Sequence, residues 1–94
     1  MLSKESLNLD KLIRMQGDRC EIYVGEKGNS TILIFIYRTN KAIYFKVMPA
    51  VPGKWDCDTP EYYPFGLYGF VKEEKLLIDK IKEKIEVLSK NEII

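Results

Sequence analysis

The segment from residue 31 to residue 48, TILIFIYRTNKAIYFKVM, constrains the fold of this chain most strongly. Two runs rich in β-branched and aromatic residues flank the polar residues 38–41, which predicts a β-hairpin. Because successive side chains of a strand point to opposite faces of a sheet, the hairpin residues divide into two sets. The first set is Ile32, Ile34, Ile36, Ile43, Phe45 and Val47. The second set is Leu33, Phe35, Tyr37, Tyr44, Lys46 and Met48.

Both sets are mostly apolar or aromatic, whereas a sheet with one face in water alternates apolar and polar residues. We therefore expect both faces of the hairpin to be covered. A chain of 94 residues has few residues outside the hairpin with which to cover both of its faces. We expect the cover of the second face to be another molecule: a partner protein, a second copy of the chain, or stacked bases. The alternative is that one helix covers each face and that Leu33, Phe35 and Met48 belong to the core.

A preceding strand is predicted over residues 19–24, where apolar and polar side chains alternate. A three-residue hairpin loop with Gly28 in the left-handed conformation would join this strand to the next one. That register pairs Ile22 with Ile32, and it places the apolar residues of the strand on the face of the first set. The face of the first set is therefore the better candidate for the core.

Two helices are predicted beside the sheet. Leu9, Leu12 and Ile13 recur at helical spacing and predict a short N-terminal helix. Residues 72–90 predict a longer C-terminal helix, because their apolar side chains form one stripe. The stripe consists of Leu77, Ile78, Ile81, Ile85 and Leu88.

The predicted fold class is α+β, with a single domain over residues 1–94. Residues 66–70 are a candidate fourth strand, so we expect a small antiparallel meander of three to four strands, flanked by the N-terminal and the longer C-terminal helix. No apolar run approaches the roughly 18 residues that a membrane-spanning helix needs. The N-terminus lacks the basic and apolar segments of a secretory signal. We therefore expect a cytoplasmic protein without a membrane partner.

Cysteine content and charge exclude several classes of protein. Cys20 and Cys57 are the two cysteines, and their wide spacing matches neither a disulfide framework nor a metal site. We expect two reduced thiols. The formal net charge is +1, so no strong field draws the chain toward nucleic acid or an anionic membrane.

The sequence contains no histidine, which removes the commonest general base and the most frequent transition-metal ligand. We predict that the chain is not an enzyme and needs no cofactor. Asp56, Asp58 and Glu61 are the one acidic cluster that could hold Mg²⁺ or Ca²⁺. A polar loop in which these residues form local turns is the favoured interpretation.

Residues 49–64 combine all four prolines of the chain with large aromatic side chains, which predicts a packed or functional loop. Together with the second face of the hairpin, this loop predicts a protein-binding surface, since aromatic side chains dominate such interfaces. We expect a small accessory subunit or inhibitor, for example of phage or mobile-element origin, that docks on a larger and perhaps nucleic-acid-processing protein. The predicted partner-binding residues are Phe35, Tyr37, Tyr44, Lys46, Met48, Trp55, Tyr62, Tyr63 and Phe65.

The alternative function is binding of single-stranded DNA or RNA, because basic residues accompany the aromatic ones and bases stack on aromatic rings. The residues predicted for this alternative are Arg19, Tyr23, Phe35, Tyr37, Arg38, Tyr44 and Lys46. A third arrangement is a homodimer formed through the same face.

Overall fold

A five-stranded antiparallel sheet forms the centre of the computed structural model, which describes residues 2–15, 17 and 19–91. The strands are β1 (Lys11–Met15), β2 (Glu21–Lys27), β3 (Ser30–Arg38), β4 (Ile43–Pro49) and β5 (Leu67–Val71). The helices are α1 (Thr59–Tyr62) and α2 (Leu77–Lys90), and a 3-10 turn at Glu74–Leu76 leads into α2. Each strand pairs with the next one in sequence, so the sheet is a meander with β1 and β5 at its edges.

The α+β class and the C-terminal helix are confirmed, and the sheet has more strands than we predicted. The predicted N-terminal helix is wrong. Residues 4–8 form turns, and Leu12 and Ile13 lie in β1. The apolar spacing that suggested a helix extends over one turn only, whereas β1 pairs along its whole length with β2.

The register of the first hairpin also differs from the prediction. The loop has two residues, and Gly28 at its first position has the positive φ of 61° that we expected of it. Ile22 lies opposite Phe35 instead of Ile32. Because this offset of three residues is odd, every side chain of β2 changes face, and Tyr23 lies on the face where we expected Ile22.

The face of the sheet that carries Ile34 and Phe45 is called the inner face here. It is covered by α2 and by the N-terminal turns, which bring Leu7 and Leu9 onto it. The apolar stripe of α2 is confirmed as the contact surface of this helix, since Leu77, Ile81, Ile85 and Leu88 are all buried there.

The opposite face, called the outer face here, is partly covered by the chain itself. Residues 50–65, the covering segment, place Val51, Trp55 and Tyr63 against a buried cluster on the strands. That cluster consists of Ile22, Leu33, Phe35 and Met48. The cover that we expected from another molecule is therefore supplied for these residues by the Pro-rich loop.

A disulfide bond between Cys20 and Cys57 ties the covering segment to the start of β2. The expectation of two reduced thiols is wrong, because the fold brings the two Cα atoms to 5.8 Å across a sequence separation of 37 residues. In the chain-entropy account, closing a loop of this length stabilises the fold by about 4 kcal/mol.

Gly69 in β5 lies directly opposite Phe45 of β4, on the inner face. A Cβ atom at position 69 would lie 2.4 Å from Cζ of Phe45, so the aromatic ring occupies the space above the glycine. Among residues 2–15, 17 and 19–91, no helix is both long and apolar enough to cross a membrane.

Candidate interaction surface

Three aromatic side chains remain exposed on the outer face, beyond the covering segment. Tyr44 is 48% exposed, Tyr68 is 60% exposed and Phe70 is 59% exposed. Tyr44 lies opposite Phe70 in the β4–β5 pair, and their ring centroids are 6.0 Å apart. These three residues are called the aromatic patch.

A shallow cavity of about 270 Å³ lies between the aromatic patch and α1. Its walls are formed by Tyr37, Tyr44, Pro60, Glu61 and Tyr68. The cavity combines aromatic rings with one carboxylate, so it can hold an apolar group and accept a hydrogen bond or a positive charge beside it.

The hydroxyl groups of two of these tyrosines hold the rings in place. Tyr37 donates a hydrogen bond to the Cys57 carbonyl oxygen at 2.7 Å, and Tyr68 donates one to the Pro60 carbonyl oxygen at 3.1 Å. Burial raises the pKa of Tyr37 to about 12, so its hydroxyl keeps the donated proton at neutral pH. Because these rings are already ordered, a ligand that contacts them orders few side chains on binding.

Lys46 lies on the same face but is fully buried. Its Nζ atom donates hydrogen bonds to the carbonyl oxygens of Pro60 at 3.0 Å and Tyr63 at 2.5 Å, and it lies 4.6 Å from the ring centroid of Tyr68. Burial lowers the pKa of Lys46. Because the Nζ atom is buried and bonded to carbonyl oxygens at the end of α1, it is not available to a partner.

The predicted partner-binding residues separate into three groups. Phe35, Lys46 and Met48 are buried, so they form part of the interior and cannot contact a partner. Tyr37, Trp55 and Tyr63 are half-buried and pack against the outer-face cluster. Tyr44, Tyr62 and Phe65 are exposed.

Sequence reasoning did not include Tyr68 and Phe70, which are the two most exposed members of the aromatic patch. The signal for them was present in the short segment 66–70. Its alternation places Tyr68 and Phe70 on one face of a strand, and their pairing with β4 brings them beside Tyr44 and Lys46.

The residues predicted for nucleic-acid binding do not form one surface. Tyr23 is buried on the inner face. Arg19 forms an ion pair with Asp58 at 3.1 Å. Arg38 forms ion pairs with both Glu21 and Glu74, so it connects β2 and β3 to the turn before α2. Its guanidinium group also lowers the pKa of Glu21 through these hydrogen bonds.

The acidic residues of the covering segment serve local structure. The Asp56 carboxylate accepts hydrogen bonds from the backbone N–H groups of Asp58 at 2.8 Å and Thr59 at 3.1 Å. This is the local turn that the polar-loop interpretation predicts. Over residues 2–15, 17 and 19–91, no three acidic or cysteine side chains are grouped as metal ligands.

Comparison with protein families, curated proteins and solved structures finds no match to this chain.

Proposed function

We propose that this chain is a non-enzymatic protein-interaction module, a small accessory subunit or inhibitor that docks on a larger protein through the aromatic patch. The observation that carries the proposal is the exposure of three large aromatic side chains on two adjacent strands, beside a central outer-face cluster that the covering segment buries. Exposed apolar patches of this kind mark interaction sites, and tyrosine is enriched among the residues that dominate binding energy.

Two further exposed aromatic residues lie near the end of the covering segment. Tyr62 ends α1, and Phe65 lies close to Tyr63, with ring centroids 5.5 Å apart. A partner seated on the aromatic patch would reach these residues at its margin.

A protein partner is favoured over a nucleic acid by the state of the basic side chains. Single-strand binding needs lysine or arginine groups that are free to contact phosphates. Arg19 and Arg38 are paired with carboxylates, and Lys46 is bonded to backbone carbonyl oxygens. The cavity beside the aromatic patch also contains Glu61, whose charge would repel a phosphate.

Single-stranded DNA or RNA binding remains the second candidate, because exposed tyrosine and phenylalanine rings can stack bases. In this alternative, Tyr44 and Phe70 would supply the stacking surface. Binding would then depend weakly on salt, since few phosphates could be neutralised.

The experiment compares affinity capture of partners by the wild type, by the double variant Tyr44→Ala/Phe70→Ala, and by Ile13→Ala. Ile13 is the matched control, because it is an apolar residue of 58% exposure on the opposite edge of the sheet. We expect the double variant to lose a specific partner that the wild type and the control both retain. All three proteins should keep the same melting temperature, because the substituted side chains are exposed.

Fluorescence anisotropy of labelled single-stranded oligonucleotides completes the test. We expect no binding by the wild type. Binding that is lost in Tyr44→Ala/Phe70→Ala would replace the protein-partner proposal with the nucleic-acid one. Equal capture of partners by all three proteins would remove the aromatic patch from the proposal.

We also propose a cytoplasmic location. The Cys20–Cys57 disulfide restricts this part of the proposal, because such bonds are typical of oxidising compartments and, inside cells, of hyperthermophilic organisms. Thiol labelling of the protein in freshly lysed cells tests it. Two reactive thiols would agree with an ordinary reducing cytoplasm, and a bonded pair would require one of the two other settings.

A further inference from the structure

The two edge strands of the sheet differ in the protection that they carry. Natural edge strands usually contain charged residues or proline, which prevent pairing with another chain. β1 contains Lys11 and Arg14. β5, with the sequence LYGFV, contains neither a charged residue nor a proline. Its free edge therefore offers unpaired backbone groups beside two exposed aromatic rings.

The β5 sequence is complementary to itself. Leu67 and Val71 occupy its ends, Tyr68 and Phe70 flank the centre, and Gly69 is the central residue. In an antiparallel pair of two β5 strands with the two-fold axis at Gly69, Tyr68 of each copy lies opposite Phe70 of the other. Leu67 likewise lies opposite Val71. Aromatic residues meet on the outer face and aliphatic residues meet on the inner face, so both faces match.

α2 also carries an exposed apolar side chain outside its buried stripe. α2 packs over β4 and β5, and Ile78 lines a cavity together with Arg14 and Tyr23, on the side of β1 and β2. Val87 lies nine residues further along, which is half a turn around the helix at about 100° per residue. It therefore points away from β1 and β2, and it is exposed.

We propose that two copies of this chain form a two-fold symmetric dimer by antiparallel pairing of their β5 strands. Edge pairing joins the two sheets into one continuous sheet, and the contact is isologous because each copy contributes the same strand. Both aromatic patches lie on the same face of this sheet and meet at the two-fold axis. The inference goes beyond the proposed function and does not depend on it, because the faces of the aromatic rings stay open in the dimer.

Sedimentation velocity over a range of protein concentrations tests the dimer with three variants. We expect a doubled mass for the wild type and at least a tenfold weaker dimer for Phe70→Lys, because a lysine on an edge strand opposes pairing. Ile13→Lys places the same charge on the other edge strand, and we expect it to leave the dimer unchanged. Tyr44→Lys changes the outer face but not the edge, and it should also leave the dimer unchanged.

Hydrogen exchange followed by NMR provides a second readout. The β5 amide groups that do not pair with β4 should exchange slowly in the wild type and quickly in Phe70→Lys, while the α2 amides stay protected in both. A wild type that is monomeric at every concentration would overturn the inference and leave the partner-binding proposal intact. A dimer lost in Tyr44→Lys would assign the contact to the outer face, and one lost in Ile13→Lys would assign it to β1.

Discussion

The Nζ atom of Lys46 lies 3.0 Å from the carbonyl oxygen of Pro60, inside the protein. Lys46 belongs to the middle of β4 and Pro60 to α1, so this hydrogen bond joins the sheet to the covering segment. Lys46, which the sequence places among the residues of a candidate basic surface, is thus a buried link between two parts of the fold. It marks the boundary between the covered part of the outer face and the aromatic patch.

We expect Lys46→Met to lower the free energy of unfolding by about 2 kcal/mol, because two carbonyl oxygens then lose their buried donor. Methionine keeps most of the apolar length of the side chain, so the loss reports the ammonium group. Urea denaturation measures it. Lys41→Met, in the exposed turn between β3 and β4, is the matched control and should leave stability unchanged. Equal stability of both variants would show that water replaces the ammonium group.

The stability of the protein should fall at alkaline pH because of Tyr37. Its folded-state pKa of about 12 lies above the ordinary value of 10.0, so folding favours the protonated hydroxyl. This contribution is complete below pH 10 and is lost as the pH rises toward 12. Rapid thermal scans between these values should show a steeper loss for the wild type than for Tyr37→Phe. Parallel pH profiles would contradict the assignment to Tyr37.

Removal of the disulfide should loosen the covering segment before the sheet unfolds. We expect Cys20→Ser/Cys57→Ser to lose about 4 kcal/mol of stability in the chain-entropy account. Trp55 lies in the covering segment and donates a hydrogen bond to the Val51 carbonyl oxygen at 2.6 Å. Its fluorescence should therefore shift in the folded variant. The untreated wild type and the wild type with reductant are the two references, and the reduced wild type should behave as the variant does.

Gly69→Ala should destabilise the protein by about 1 to 3 kcal/mol, because the new methyl group would overlap the ring of Phe45. Phe45→Leu removes that ring and is destabilising by itself. In a double-mutant cycle, Gly69→Ala should cost much less in the Phe45→Leu background than in the wild type. Additive losses would mean that the glycine is needed for another reason.

Prediction from the sequence succeeded where one element carries its own periodic signal. The hairpin of β3 and β4 and the helix α2 each extend over several alternations or turns, and both were identified from their patterns. Prediction failed for β1, whose five residues carry too short a pattern to distinguish a strand from a helix. It also failed for β2, where the difference between a two-residue and a three-residue loop reverses the faces.

Prediction of the candidate surface from the sequence likewise succeeded in one part and failed in another. The sequence identified an aromatic outer face and a second aromatic segment after β4. The sequence did not show that the aromatic segment after β4 covers the outer face, because that contact joins residues far apart in the chain, such as Phe35 and Trp55. Of the three exposed members of the aromatic patch, Tyr44 was predicted from the sequence, whereas Tyr68 and Phe70 were identified only in the folded molecule.

By itself the sequence determined that this protein contains an antiparallel sheet with two apolar faces and a C-terminal helix covering one of them. Alternation in β3 and β4 and the stripe of α2 are local patterns, and burial of apolar surface makes them decisive. Tertiary structure decided the register of β2, the Cys20–Cys57 disulfide and the burial of Lys46. Each of these depends on contacts between distant segments, whose combined free energy outweighs the local preference of any short stretch of chain.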